Sequence, residues 1–170
     1  MKWTRGELLH GSQNVTFDED IELDDSVFDE YSGIIGVRDL HAEGSGSLDS
    51  DGNTFICDLH VEGTMICPDS ITNKPIEVPL DTESEEIYSF IPSEEDGVYV
   101  VTDGVIDLLP AVIVDILLEV PLQVTVAAAD EYPEGNGWKV YSEAEYQESR
   151  KDQIDPRLAI LKEFNEDDEQ

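Results

Sequence analysis

Residues 53–90, NTFICDLHVEGTMICPDSITNKPIEVPLDTESEEIYSF, hold the pattern from which the fold is read. Phe55, Cys57, Leu59 and Val61 alternate with Ile56, Asp58, His60 and Glu62, the period of two required of a half-buried strand. Gly63 follows, and a second run opens at Thr64 and closes at Cys67. Pro68-Asp69-Ser70 is turn chemistry, because proline fixes φ and the Asp and Ser side chains bond nearby backbone. A third run sets Ile76, Val78 and Leu80 against Glu77 and Pro79. Together the runs predict an antiparallel meander on which the other segments pack. Pro79 cannot donate to a ladder, which puts it on an edge or at its strand's end.

Upstream, residues 3–9 form a short amphipathic entry and residues 15–23 a loosely alternating strand with acidic outer positions. Residues 24–30 read as acidic loop or a helical turn anchored by Val27 and Phe28. Residues 32–40 predict a strand interrupted by glycine, Gly44-Ser45-Gly46-Ser47 a flexible stretch, and residues 49–53 a turn. Downstream, residues 81–86 read as an acidic interval, and residues 87–91 and 98–101 as further strands. Asp107 is the expected N-cap of a helix over 108–120, with Pro110 in the first turn, where a missing N–H is tolerated. Leu109, Val112, Ile113, Ile116, Leu117 and Val120 share one face, while Leu108, Val114 and Leu118 lie off it, so the helix is either deeply buried or part of an interface. Residues 143–153 are polar helix or linker, and Asp155-Pro156 opens a last short helix.

The expected fold is mainly β, or α+β: an antiparallel sheet or partly open barrel with one buried helix and short peripheral helices. Residues 1–150 are read as one β-rich domain, 151–164 as a C-terminal docking helix and 165–170 as an acidic tail. At 170 residues the chain is long enough to bury a real core.

Charge is the dominant compositional feature: 41 acids against 9 Lys and Arg, net -32. Nucleic-acid binding gains affinity when cations release phosphate counterions, so this chain would on average repel a phosphate backbone, and a basic protein partner is the better electrostatic match. The alternative is that the acid serves solubility or a salty cytoplasm. The chain opens on polar sequence without a signal peptide, and its longest apolar stretch, 105–129, is broken by Asp107, Asp115, Glu119, Pro110 and Pro121. A cytoplasmic protein with no membrane span is expected.

Candidate chemistry is sparse. Asp49-Ser50-Asp51-Gly52-Asn53 resembles a calcium loop, but starting at Asp49 places Thr54 at the glycine position and His60 at the closing one. A hairpin turn is the reading. Cys57, Cys67, His10, His41 and His60 lack the close spacing of a zinc site. No nucleophile elbow, phosphate-binding loop or H-E-x-x-H occurs. No catalytic residue, metal or cofactor is expected. Four of the nine basic residues, Arg150, Lys151, Arg157 and Lys162, lie in the last 21 residues; they pair with neighbouring acids or mark a local contact point.

Residues 67–80, continuing through Glu85 and Glu86, resemble the central motif of the YceD family of large ribosomal RNA subunit accumulation proteins. Asp155-Pro156-Arg157-Leu158-Ala159-Ile160-Leu161-Lys162 is similar to that family's closing motif, D-P-R-L-x-x-L-K. The entry over 3–9 and the segment over 107–121 also fit the family's order. Many members carry C-x-x-C at the central motif, whereas here Cys67 is followed by Ser70, and residues 131–146, cysteine-rich in many relatives, contain none. The resemblance implies accumulation or processing of 23S ribosomal RNA, linked to large-subunit assembly. With the charge, it points to a non-catalytic acidic adaptor or chaperone for a basic ribosomal or assembly protein, with little direct nucleic-acid affinity. Asp155, Pro156, Arg157, Leu158, Leu161 and Lys162 would form the docking element, and Cys67 marks the central-motif position. The alternative is an acidic nucleic-acid mimic occupying the basic groove of a DNA- or RNA-binding protein. That reading expects acids along one face at roughly phosphate spacing, about 6–7 Å along a strand, and competition by DNA. A third reading, metal-assisted RNA processing, requires acids clustered around magnesium.

Overall fold

The computed structural model describes residues 1–128 and 131–151, with side chains through Glu148 apart from 129 and 130. It divides into two units, residues 1–124 and residues from 125 onward.

The first unit is built on an open five-stranded sheet. Strand β1 (Lys2–Thr4) leads into helix α1 (Arg5–His10), and β2 (Asn14–Ile21) follows. A 3-10 turn (Asp25–Phe28) precedes β3 (Gly36–Leu48), β4 (Thr54–Pro68) and β5 (Pro75–Ser89). Short strands β6 (Val98–Val100) and β7 (Val105–Asp107) then lead to helix α2 (Leu109–Glu119). The sheet order is β2-β3-β4-β5-β6, and β1 pairs separately with β7. All neighbours are antiparallel except β5 and β6. The expected mainly antiparallel sheet is present, and it is open rather than closed into a barrel.

Alternation in β4 sorts the two sides of the sheet. Phe55, Cys57, Leu59, Val61, Met65 and Cys67 are buried, while the even-numbered positions between them face outward. Gly63 does not end the strand: β4 and β5 stay paired from Thr54–Ser89 to Pro68–Pro75. The three expected runs are therefore two long strands. The acidic interval 81–86 lies inside β5 because Asp81, Glu83 and Glu85 are exposed, whereas Glu86 turns inward beside Tyr88. Pro79 lies in the part of β5 that no second strand covers among the described residues, since β6 reaches only Ile87 to Ser89. Its edge placement holds, but the strand continues past it.

The stretch expected to be flexible, Gly44 to Ser47, also lies within a strand. Gly44 and Gly46 face inward, where a Cβ on Gly44 would lie 2.7 Å from the Phe17 ring and one on Gly46 2.2 Å from the Phe55 ring. These glycines are packing positions that let aromatic rings lie against bare backbone. Trp3 contacts both rings, at 5.6 Å from Phe17 and 6.1 Å from Phe55. Phe55 meets Tyr88 at 6.4 Å, and Tyr88 stacks on Tyr99 at 5.1 Å.

Two polar devices close the N-terminal end. Thr4 and Glu7 form a capping box for α1, satisfying donors at the helix start. Arg5 donates from Nε to Gly52 O and from a terminal nitrogen to Asn53 Oδ1, both at 2.9 Å, and its guanidinium lies 5.2 Å from the Phe90 ring centre. The β3–β4 turn it grips is held by Asp49 Oδ1, which accepts from Asn53 N and Thr54 N. Residues 49–53 thus form the hairpin turn expected.

Helix α2 occupies nearly the expected span. Leu108 is the N-cap and makes no side-chain cap bond; Asp107 Oδ1 instead accepts from Leu109 N at 3.1 Å. The buried face is Ala111, Val112, Asp115 and Ile116, rotated from the face read by hydrophobicity. Leu108 is fully buried, while Val114 and Leu118 are exposed. In the second unit, β8 (Glu134–Gly135) pairs with β9 (Trp138–Lys139), and α3 spans Glu143–Lys151.

Gly46→Val is expected to lower stability by about 1–3 kcal/mol through overpacking against Phe55. Ser45→Val, whose side chain faces outward, should leave the urea midpoint nearly unchanged. Urea unfolding of both variants checks the assignment.

Candidate functional site

The face of the sheet opposite the core carries rows of exposed ionisable side chains. Pairing aligns them in rows across β2, β3, β4 and β5. Asp20, His41, Glu62 and Asp81 form one row, and Asp18, Glu43, His60 and Glu83 the next. Thr16, Ser45, Asp58 and Glu85 form a third. The second and third rows line an open depression of about 880 Å³.

His41 and His60 are the basic side chains within these rows, cationic when protonated. His41 Nδ1 lies 2.8 Å from Asp20 Oδ1, and its Nε2 lies 3.4 Å from Asp18 Oδ1. His60 Nε2 lies 2.9 Å from Asp81 Oδ1, and its Nδ1 lies 3.3 Å from Glu43 Oε1. Each imidazole therefore clips carboxylates on neighbouring strands. Hydrogen bonding to Asp20 raises the His41 pKa above its ordinary 6.5, with Asp18, Asp20 and Glu62 adding attraction. The bonds to Asp81 and then Glu43 raise His60. Arg38, at the margin, is held away by a two-pronged pair to Asp25 at 2.8 and 3.0 Å. Among the described residues, no Lys or Arg pairs with any carboxylate of the three rows.

Asp18, His41 and Glu43 each offer a ligand atom within 4.8 Å of the others, a spacing at which a divalent cation fits. The set is solvent-exposed and mostly oxygen, unlike an enclosed structural zinc site.

The two cysteines lie on the other side of the sheet. Burial pushes the Cys57 thiol up to about 12 and raises Cys67 as well, so both are protonated thiols at neutral pH. Cys67, the central-motif position, packs into the core beside the turn that follows it. There the buried Asp69 accepts from Ile71 N at 2.8 Å and Thr72 N at 2.9 Å through Oδ1. Ser70 extends the turn, donating N–H to Val124 O and accepting from Val124 N at its Oγ. Cys67-Pro68-Asp69-Ser70 thus builds a hydrogen-bonded corner with the thiol in the core.

A second acidic group lies on the core side. Ser84 Oγ donates to Asp115 Oδ2 at 2.8 Å, and Thr82 Oγ1 to Glu119 Oε1 at 3.3 Å, fastening α2 to β5. Burial is the first cause holding the Glu86 and Asp115 carboxyls above their ordinary range. Asp115 adds repulsion at Glu86, and Glu119 at Asp115.

Of the residues expected to form a binding site, Asp155, Pro156, Arg157, Leu158, Leu161 and Lys162 lie outside the described residues. Local sequence does not reveal the outer face as a site, because residues 81–86 read alone as an acidic interval between strands. The available signal was the alternation of Asp81, Glu83 and Glu85 with Thr82, Ser84 and Glu86, running unbroken into Ile87.

Comparison with known proteins gives the family. Residues 57–165 match the family described as "Large ribosomal RNA subunit accumulation protein YceD", and the chain belongs to it. It is also similar to the "Uncharacterized protein YlbN" of Bacillus subtilis (strain 168), with 32% identity over 178 residues, covering 100% of this chain and 99% of the relative. No solved structure matches. Among the described residues no helix is long and apolar enough to cross a membrane.

Because carboxylate pairing raises both imidazole pKa values, the histidine contribution to sheet stability is fully present below about 6.5. It is lost as pH rises through the raised folded values. Imidazole NMR titration should place both midpoints above the ordinary value, and Asp20→Asn should lower that of His41 while leaving His60 in place.

Proposed function

We propose that this chain is a non-catalytic acidic adaptor or chaperone in large-subunit ribosome assembly, acting in the cytoplasm and supporting accumulation of 23S ribosomal RNA. Membership of the YceD family supports the ribosomal RNA role. The observation that carries the adaptor reading is the outer sheet face, where Asp18, Asp20, Glu43, Asp58, Glu62, Asp81, Glu83 and Glu85 have no Lys or Arg partner among the described residues. Such a surface attracts a basic protein and repels a phosphate backbone. The partner is a basic ribosomal protein or basic assembly factor, and the effect on RNA is exerted through it.

One observation favours a second reading, the nucleic-acid mimic. Asp81, Glu83 and Glu85 recur every second residue along β5, a repeat of about 6.6–6.8 Å. A mimic would be displaced from its partner by DNA, whereas an adaptor would bring ribosomal precursors with it.

The test is retrieval of the tagged full chain at low and high salt, with protein and RNA identified. Basic ribosomal or assembly proteins lost as salt rises are the expected result. A DNA-binding protein as the sole partner would replace this reading with mimicry. In the closing D-P-R-L motif, reversing charge with Arg157→Glu and Lys162→Glu is expected to weaken partner capture and lower 23S ribosomal RNA. Unchanged capture and RNA levels would remove that motif from docking.

A further inference from the structure

We propose that the outer face of β2 to β5 is the docking surface for an extended lysine- and arginine-rich segment of a protein, laid along the strands. This rests on the adaptor reading above and gives it a location and a form of ligand.

The first argument is an electrostatic cost carried by the free protein. Asp18 lies directly opposite Glu43, Asp58 opposite Glu85, and Glu62 opposite Asp81. Like charges directly opposite one another destabilise a sheet, and no Lys or Arg relieves these pairs among the described residues. His41 reaches Asp18, and His60 reaches Glu43 and Asp81, which leaves Asp58 and Glu85 the pair with no basic partner among the described residues. Each pair is exposed: Asp18 is 78% and Asp81 82% accessible at the side chain, and Asp58 and Glu85 are exposed as well. A row of cations placed over this face would remove the repulsion and gain attraction at once.

The second argument is spacing. Alternate side chains of an extended segment repeat about every 6.6–6.8 Å, the same interval that separates Asp81, Glu83 and Glu85 along β5 and Asp18 from Asp20 along β2. A segment lying along the strands would set alternate basic residues against one line of carboxylates while the neighbouring strand supplies the next.

The third argument is shape. Glu43, Asp58, His60, Glu83 and Glu85 wall a depression rather than a ridge. A mimic must present its acids on a convex surface to enter a groove, whereas a depression receives a segment. Other elements of the first unit contact the opposite side of the sheet, through Trp3 on Phe17 and Phe55 and through Asp115 on Ser84.

The probe is a labelled peptide of alternating lysine and serine, titrated against the full chain by fluorescence anisotropy. One variant carries Glu43→Gln, Asp58→Asn, Glu83→Gln and Glu85→Gln. A control removes the same charge elsewhere, with Glu22→Gln, Glu30→Gln, Glu94→Gln and Glu95→Gln. Circular dichroism and amide NMR dispersion establish that both are folded. The outer-face variant should lose roughly tenfold or more in affinity and the control less than about twofold, with peptide-induced amide shifts confined to β2–β5. Equal losses in the two variants, or shifts centred elsewhere, would overturn the assignment.

The same variants separate this inference from the reading beneath it. If wild-type chain retrieves a basic assembly protein and the outer-face variant retrieves it equally well, the location is wrong and the adaptor role stands. If wild-type chain retrieves no basic protein, the adaptor role falls, while the peptide titration still judges the face. A retained DNA-binding protein displaced by added DNA would overturn both in favour of mimicry.

Discussion

The fold depends on a line of aromatic rings that needs bare backbone beneath it. Trp3, Phe17, Phe55, Tyr88 and Tyr99 join β1, β2, β4, β5 and β6 through successive ring contacts. The space for Phe17 and Phe55 exists because β3 presents Gly44 and Gly46 to the core. Side chains at those positions would push the rings off the sheet and separate β1 from it. Glycine within a strand weakens the strand locally, yet here it fixes the depth at which the core packs.

With the core fixed on one side, β4 and β5 are left to present charge on the other. Alternation makes this unavoidable: once Phe55, Cys57, Leu59 and Val61 are inside, Asp58, His60 and Glu62 must be outside. The sheet thus acts as a partition between a dry aromatic side and an anionic side. His41 and His60 stitch neighbouring strands together across the anionic side. Where carboxylates turn inward instead, at Glu86 and Asp115, their ionisation is disfavoured by burial.

The antiparallel meander, the turn over residues 49–53 and the span of α2 were legible from period and turn chemistry, and the order of the five strands was not. Nor were the strand lengths. Gly63, Gly44, Gly46 and residues 81–86 each look like interruptions locally, but pairing with a long neighbour overrides local preference. Leu, Ile and Val alone point to a different α2 face, because small Ala111 and hydrogen-bonded Asp115 are buried without being strongly apolar. Ser84 explains Asp115, and no spacing rule links residues 31 positions apart. The candidate site was hidden for a related reason: its acids come from four strands, and only register places Asp18 beside Glu43 or Asp58 beside Glu85. The family was legible because the central and closing motifs are contiguous in sequence.

The uncovered length of β5 also bears on behaviour in a crowded solution. A bare strand edge is a template for joining a second copy, and among the described residues β5 offers one from Pro75 to Glu86, beyond the reach of β6. Pro75 and Pro79 remove hydrogen-bond donors from that edge, and Asp81, Glu83 and Glu85 place like charge along it. Two copies approaching through β5 would meet missing donors and mutual repulsion before any ladder could form. The sequence that makes β5 anionic therefore also gives the chain a built-in colloidal barrier. That barrier is lowered where salt screens the carboxylates or acid protonates them.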